Sequence, residues 1–110
     1  MTTRTKQLAW QRLPNGTTTV YTCPSGHRTI VKDVRLYNND SAGKQMQCFV
    51  SNGAGTVYGH IVPLQTVGVV ALAAPTAVWA VMEAGQELRV YTAAAANASD
   101  CLISGAELSV

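Results

Sequence analysis

The segment 45–55, QMQCFVSNGAG, contains the two signals that decide the fold. Its apolar side chains occupy every second position, at Met46, Cys48 and Val50. The positions between them are polar except for Phe49, and such alternation is typical of a β-strand with one buried face. The NGAG that follows, residues 52–55, is typical of a turn, because glycine tolerates a positive φ and asparagine closes turns with its side chain. The segment therefore predicts a strand that ends in a tight turn.

The same strand-and-turn unit recurs along the whole chain. Turn signals occur at Asn15-Gly16, Pro24-Ser25-Gly26, 38–43, 52–55, Ala84-Gly85-Gln86 and 96–100. Their spacing leaves segments of strand length and is typical of a β-sandwich or barrel. We therefore expect an all-β protein: a single-domain antiparallel β-sandwich, jelly-roll-like, with about eight strands and an N-terminal arm.

Length and composition limit the alternatives. The 110 residues suit one domain, and only 13% of them are charged, against about 25% in an average soluble domain. Too few Lys and Glu are present for solvent-facing helices, which excludes helix bundles and coiled coils. We expect residues 1–13 to form an N-terminal arm or first edge strand, and residues 14–110 to form the sandwich domain.

The stretch Ile61–Met82 contains no charged residue and has the length of a membrane span. Pro63, Gly68 and Pro75 interrupt it, and no cluster of Lys or Arg flanks it, so we do not expect a membrane segment. The stretch instead predicts two buried strands joined by a loop near residues 73–75.

The segment Val78–Met82 is apolar on both of its faces, which predicts a strand covered on both sides. Trp79 within it is expected to be a core residue. After the turn signal at residues 84–86, Leu88 and Val90 share one face of a return strand. The pattern predicts a hairpin.

No short catalytic or nucleotide-binding motif occurs in the sequence, so we expect no enzyme. His27 follows Cys23 by four residues, and His60 can meet the other cysteines in space, but no C-x-x-C pair supports a zinc site. No cofactor and no metal are expected. The three cysteines are odd in number and widely spaced, which indicates free, buried thiols and folding in a reducing compartment. No secretory signal is recognised at the N-terminus.

Charge is distributed unevenly along the chain. Residues 1–35 carry a net charge of +5 and residues 36–110 a net charge of −3. A basic leading segment can dock on an acidic neighbour, and copies of the chain can pair positive end to negative end. A net charge of +2 with one interleaved aromatic is too little for nucleic-acid binding. Because a large aromatic among cations suits a protein interface, the expected partner-contact residues are Arg4, Lys6, Trp10 and Arg12.

The order of these signals resembles that of small β-rich structural virion proteins of tailed bacteriophages. The resemblance lies in the run TTTVYTCPSG at residues 17–26, the following RTIVKDVRLYNN at 28–39, the tryptophan hairpin VWAVMEAGQELRV at 78–90, and the closing strand ISGAEL at 103–108. The chain departs from the group at Gln86, where its hairpin often carries an aspartate. A turn role for this side chain is therefore an open question.

The resemblance implies a structural virion component. The leading expectation is a capsid decoration (cement) protein that binds the exterior of the shell, with the major capsid protein or another virion protein as partner. It would be a homo-oligomer, expected as a trimer, made in the host cytoplasm and located in the virion. The alternatives are a tail or neck component and a carbohydrate- or ligand-binding sandwich that uses Tyr21, Tyr37, Tyr58 and Tyr91.

Overall fold

The described part of the chain is built from β-strands. The computed structural model describes residues 3–52, 54–68, 71–73 and 80–110, and within these ranges it contains nine strands and no helix. The strands are β1 (Thr3–Leu13), β2 (Gly16–Thr22), β3 (His27–Asn38), β4 (Lys44–Ser51), β5 (Val57–Val67), β6 (Ala71–Ala73), β7 (Ala80–Met82), β8 (Glu87–Thr92) and β9 (Ser99–Ser109).

The strands form two antiparallel sheets. The first sheet has the order β1-β9-β3-β6, with β7 also paired to β3, and the second has the order β2-β8-β4-β5. Strands β6 and β7 pair with opposite ends of β3, at residues 36–38 and 29–31, so they occupy one strand position between them. With β6 and β7 counted as one, the orders become 1-8-3-6 and 2-7-4-5, which is the arrangement of a jelly roll. The predicted all-β antiparallel sandwich is confirmed.

The turns lie where the sequence places them. Positive φ angles occur at Gly16, Gly26, Gly55, Gly85 and Asn97. Each of these residues belongs to a predicted turn. Because a positive φ is disfavoured for most residues but accepted by glycine and asparagine, these positions explain why the turn signals identified the strand ends correctly.

The predicted hairpin at residues 78–90 is wrong. Strand β7 pairs with β3 in the first sheet, whereas β8 pairs with β2 and β4 in the second, so the turn between them crosses from one sheet to the other. The Gln86 side chain supports this crossing, because its Oε1 accepts a hydrogen bond of 2.9 Å from the Glu83 N–H. Gln86 therefore has the turn role that the sequence left open. Trp79 lies outside the described residues.

The core lies between the two sheets and consists of aliphatic, methionine and cysteine side chains. Met46, Cys48 and Val50 all belong to it, as the alternation predicted. Phe49 is also buried but is not part of this cluster. Its ring packs instead against His60 on β5, with 5.7 Å between the ring centroids. The exception in the pattern is thus an aromatic covered by a neighbouring strand.

Residues 3–13 form an edge strand, the second of the two forms expected for the N-terminal segment. β1 pairs with β9 from Thr3 to Leu13. Leu8, Ala9 and Leu13 are buried in the core between the sheets. Removal of residues 1–13 would therefore open the core.

The two strands expected to be buried within Ile61–Met82 are only partly buried in the described residues. β5 is the edge of the second sheet, and in its C-terminal half only Val62 and Val67 are fully buried. In β7, Val81 is more than half exposed, although Met82 is in the core. Apolar composition predicts burial, but Leu64 and Val81 lie at an open margin of the sandwich.

Gly105 allows β1, β9 and β3 to approach one another closely at the centre of the first sheet. It lies on β9 between Lys6 of β1 and Val31 of β3. A β-carbon at this position would overlap the carbonyl group of Ile30 and lie 3.2 Å from Leu8 Cδ1. Both flanking strands shift register beside it, β1 at Leu8 and β3 at Lys32.

We predict that Gly105→Ala destabilises the protein by about 3 kcal/mol, the upper end of the usual range for overpacking, because the methyl group meets backbone that cannot move without breaking the β3–β9 pairing. Gly59→Ala is the matched control, since Gly59 is also in a strand and nothing lies within 4 Å of an added β-carbon there. Urea unfolding of both variants checks the prediction. Equal free energies of unfolding for the two variants would contradict it.

Candidate interaction surfaces

Trp10 is the most exposed large hydrophobic side chain in the described part of the chain, at 71%. It lies on β1 opposite Leu102 of β9, which in turn lies opposite Arg35 of β3. These three residues form a row across the outer face of the first sheet. Trp10 therefore lies in a paired part of β1, and its indole ring is exposed to solvent.

The four expected contact residues do not share one face. Trp10 and Arg12 both point outward from β1, and Arg12 donates a hydrogen bond of 3.2 Å to the Asn97 carbonyl. Lys6 is directed to Glu107 instead, with 3.4 Å between Nζ and Oε1. Arg4 lies on β1 at the register position opposite Glu107.

The register shift at Leu8 explains this division. Residues 4, 6, 10 and 12 are spaced by even numbers, so an uninterrupted strand would place all four on one face. The extra residue between Gln7 and Ala9 reverses the alternation, as a β-bulge does. The sequence gives no local signal for this bulge, since Leu8 fits either face of a strand.

The outer face around Trp10 contains a shallow cavity of about 190 Å³, lined by Trp10, Arg35, Tyr37, Asp100, Cys101 and Leu102. Arg35 is held by Asp33, with 3.1 Å between Nε and Oδ2. We call this set, together with Arg12, the Trp10 patch. It combines an exposed aromatic ring, an apolar floor and both signs of charge, which is the composition of a protein contact surface.

A buried polar cluster ties the two sheets together at the other end of β1. Glu107 of β9 is only 6% exposed. The Tyr21 hydroxyl, from the end of β2 in the opposite sheet, donates a hydrogen bond of 2.5 Å to its Oε2. The same hydroxyl lies 2.7 Å from Thr29 Oγ1. A carboxylate among these partners is satisfied without access to bulk water.

The hydrogen bond from Tyr21 lowers the pKa of Glu107, and the nearby Lys6 ammonium lowers it further, against the opposing effect of burial. The pKa of Tyr21 is raised, mainly by burial and then by its bond to Glu107. Both directions favour the same state, a charged carboxylate that accepts from a neutral phenol.

The fold also reduces the separation of charge between the two segments of the sequence. Lys6 pairs with Glu107, and Arg28 pairs with Glu83 at 2.9 Å. Both pairs join the basic leading segment to an acidic residue of the later segment within one molecule. The electrostatic attraction between opposite ends of two copies is therefore weaker than the sequence predicts.

A second surface lies at the opposite margin of the sandwich, where β5 and β7 leave a groove of about 260 Å³ between the sheets. Its apolar lining comes from Val50, Tyr58, Ile61, Ala80 and Val81. We call the exposed length of β5 together with Val81 the β5 margin. Its exposed large hydrophobic side chains are Val57, Tyr58, Leu64 and Val81.

Across residues 3–52, 54–68, 71–73 and 80–110, no group of three or more His, Cys, Asp or Glu side chains is placed to hold a metal ion. The cysteines are free and buried, and burial raises the pKa of Cys101 to about 11. No helix of the described residues is long and apolar enough to cross a membrane.

The four tyrosines proposed for ligand contact do not cluster. Tyr21 is committed to Glu107 between the sheets. Tyr37 lies on the outer face of the first sheet, Tyr91 lies on β8 of the second, and Tyr58 is at the β5 margin.

Comparison with known proteins gives matches among solved structures. No protein-family model matches the sequence, and no curated protein does. Two crystal structures of a pentameric capsid protein isolated from metagenomic phage sequences match 98% of this chain at 19% identity, with a TM-score of 0.31. The chain spans 62% and 60% of the length of those proteins. A likeness at this TM-score carries no argument about the function of the present chain.

We predict that Glu107→Gln lowers the stability above about pH 4.3, the usual pKa of a glutamate, by roughly 1.5–3 kcal/mol. Because the folded-state pKa is depressed, the stabilisation by Glu107 is present above the unfolded-state pKa and is lost as pH falls through the folded-state pKa. Urea unfolding from pH 7 to pH 2 should therefore give curves for wild type and variant that converge at low pH.

The matched control for this experiment is Glu83→Gln, which breaks an exposed ion pair and should cost at most about 1 kcal/mol. A constant difference between wild type and Glu107→Gln across the whole pH range would contradict the assignment of the buried carboxylate.

Proposed function

We propose that this chain is a structural component of a phage virion, of the capsid decoration (cement) type, and that it docks on the exterior of the shell through the Trp10 patch. The resemblance of the sequence to phage virion proteins supports the class of protein. The observation that carries the docking surface is the position of Trp10, 71% exposed on a strand whose Leu8, Ala9 and Leu13 are in the core. A tryptophan on a rigid strand offers a large contact area at little cost in conformational entropy, and such residues dominate the energy of protein interfaces.

The fold is compatible with this role. Jelly rolls are found in viral capsid proteins and also in lectins, so the architecture alone does not choose between a structural and a ligand-binding role. Two features favour the structural role. The tyrosines do not cluster and only Tyr58 is exposed, and the most exposed large side chain, Trp10, lies on a strand beside a shallow cavity and not in a deep cleft. We propose no catalytic activity and no cofactor for the chain.

In this role the protein acts by multivalency. A decoration protein strengthens a shell when one oligomer contacts several capsid subunits, because contacts that are weak alone act together through effective concentration. The partner is then the major capsid protein, and Arg12 and Arg35 beside Trp10 suit a shell surface that carries some negative charge. Homo-oligomerisation is part of the proposal, and the trimer expected from the sequence is one candidate for the number of copies.

A tail or neck component is the second candidate, since it would use the same kind of surface in few copies. Copy number separates the two. Quantitative mass spectrometry of purified source particles should find hundreds of copies if the chain decorates the shell. A handful of copies would favour the tail or neck, and absence from the particles would overturn the virion role.

We predict that Trp10→Ala weakens binding to undecorated shells by at least about tenfold, because the variant loses the central aromatic of the patch. Co-sedimentation of labelled protein with shells measures this. The stability of the variant should change by less than about 0.5 kcal/mol, since the side chain lies outside the core.

Tyr91→Ala is the control, because it truncates an aromatic on the other sheet. Equal shell binding by wild type and Trp10→Ala, with both folded, would overturn the assignment of the patch.

A further inference from the structure

The β5 margin is an open strand edge that nothing in the described chain covers. β5 pairs with β4 on one side only. Tyr58 is 55% and Leu64 is 51% exposed. An exposed strand edge offers unpaired N–H and C=O groups to any other chain, and natural proteins protect such edges with proline, with β-bulges and especially with charged side chains.

β5 lacks charged side chains. None of its eleven residues, VYGHIVPLQTV, is Asp, Glu, Lys or Arg. Pro63 and the register shifts against β4 break the edge into shorter pairing segments, but they leave its apolar side chains exposed.

The other edges of the described sheets differ from β5. β1 carries Arg4, Lys6 and Arg12, so a second copy of β1 laid against it would bring like charges together. β2 is uncharged, but its fully exposed side chains are all threonines, at Thr17, Thr19 and Thr22. β6 and β7 are only three residues long. Only β5 combines length, exposed apolar side chains and absence of charge.

We infer that the β5 margin is the contact between two copies of this chain, paired edge to edge around a two-fold axis. In a two-fold contact the same strand supplies both sides, so any charged residue near the axis would face its own copy. A strand without charge is the one that can pair with itself at no electrostatic cost. This inference deepens the proposed function by naming a self-association surface, and it rests on that function only in expecting an oligomer.

The size of the surface sets an upper bound on the contact. Eleven residues of strand extend over about 36 Å, and two packed sheets lie about 10 Å apart, so a margin with its outer side chains is at most roughly 20 Å wide. The contact therefore buries at most about 700 Å² per copy, somewhat less than the roughly 800 Å² per partner of a standard interface. The groove beside Tyr58 and Val81 adds apolar surface for side chains of the second copy.

A two-fold contact has a consequence for stoichiometry. The isolated protein is then a dimer in solution, and not the trimer expected from the sequence. Pro63 lies near the middle of β5 and has no N–H to donate, so the strand pairing between the two copies is interrupted at this residue.

The test is the mass of the full-length protein in solution by light scattering after size exclusion, over a range of concentrations. The wild type should be dimeric. Leu64→Lys places like charges close together in the contact and should weaken dimerisation by at least about tenfold. Thr17→Lys, which adds the same charge to the β2 edge, should leave the dimer intact.

A second measurement avoids variants altogether. Hydrogen–deuterium exchange of the wild type should show protection of residues 57–67 that increases with protein concentration, with no such change in residues 16–22. A monomeric wild type, a dimer unaffected by Leu64→Lys, or protection confined to another strand would overturn the inference. Shell binding by Trp10→Ala is measured separately, so failure of either proposal is recognised independently of the other.

Discussion

The structure depends on the close approach of three strands at Gly105. β9 is paired along its length with β1 on one side and β3 on the other, and at Gly105 the backbone of Ile30 occupies the space that any side chain would need. Both neighbouring strands accommodate this approach by a register shift. The shift in β1 is what turns Lys6 toward Glu107 and leaves Trp10 on the outer face, so one glycine is linked to the division between the polar cluster and the exposed patch.

The two sheets are held together by polar contacts at both ends of β3. Near its start, Thr29 belongs to the cluster of Tyr21 and Glu107. At its end, the buried Asn38 amide donates hydrogen bonds to the carbonyls of Ala42 and Val67, at 3.0 and 2.9 Å. The second of these fixes the C-terminal end of β5 to the first sheet. The remaining length of β5 has no comparable tie in the described chain, which explains how it can remain an open edge beside a well-packed core.

Sequence patterns predicted the features that depend on local chemistry. Alternation at residues 46–50 identified the inward side chains of β4, and glycine and asparagine identified the turns. The pairing of strands could not be read in this way, because β7 and β8 are adjacent in sequence yet belong to different sheets. Even spacing of the four expected contact residues could not reveal that they lie on different faces of β1, because the bulge at Leu8 reverses the alternation; their contact with a partner stays a prediction. The apolar sequence of β5 predicts an interior strand, because composition reports only that a side chain prefers to be buried. It does not report whether the same chain or another molecule covers that side chain.

The positions of the two surfaces make them compatible. β1 is the edge of the first sheet that lies beside β2, whereas β5 is the edge of the second sheet that lies beside β6. Two strand positions separate the edges within each sheet, a distance of about 14 Å between edge strands. Trp10 projects from the outer face of the first sheet, and the β5 edge faces sideways from the second. A partner on one surface therefore need not exclude a partner on the other, and a dimer joined at β5 would carry two Trp10 patches. Two such patches on one particle raise each other's effective concentration at a shell, so self-association at one margin would strengthen attachment at the other without any change in the contacts of a single patch.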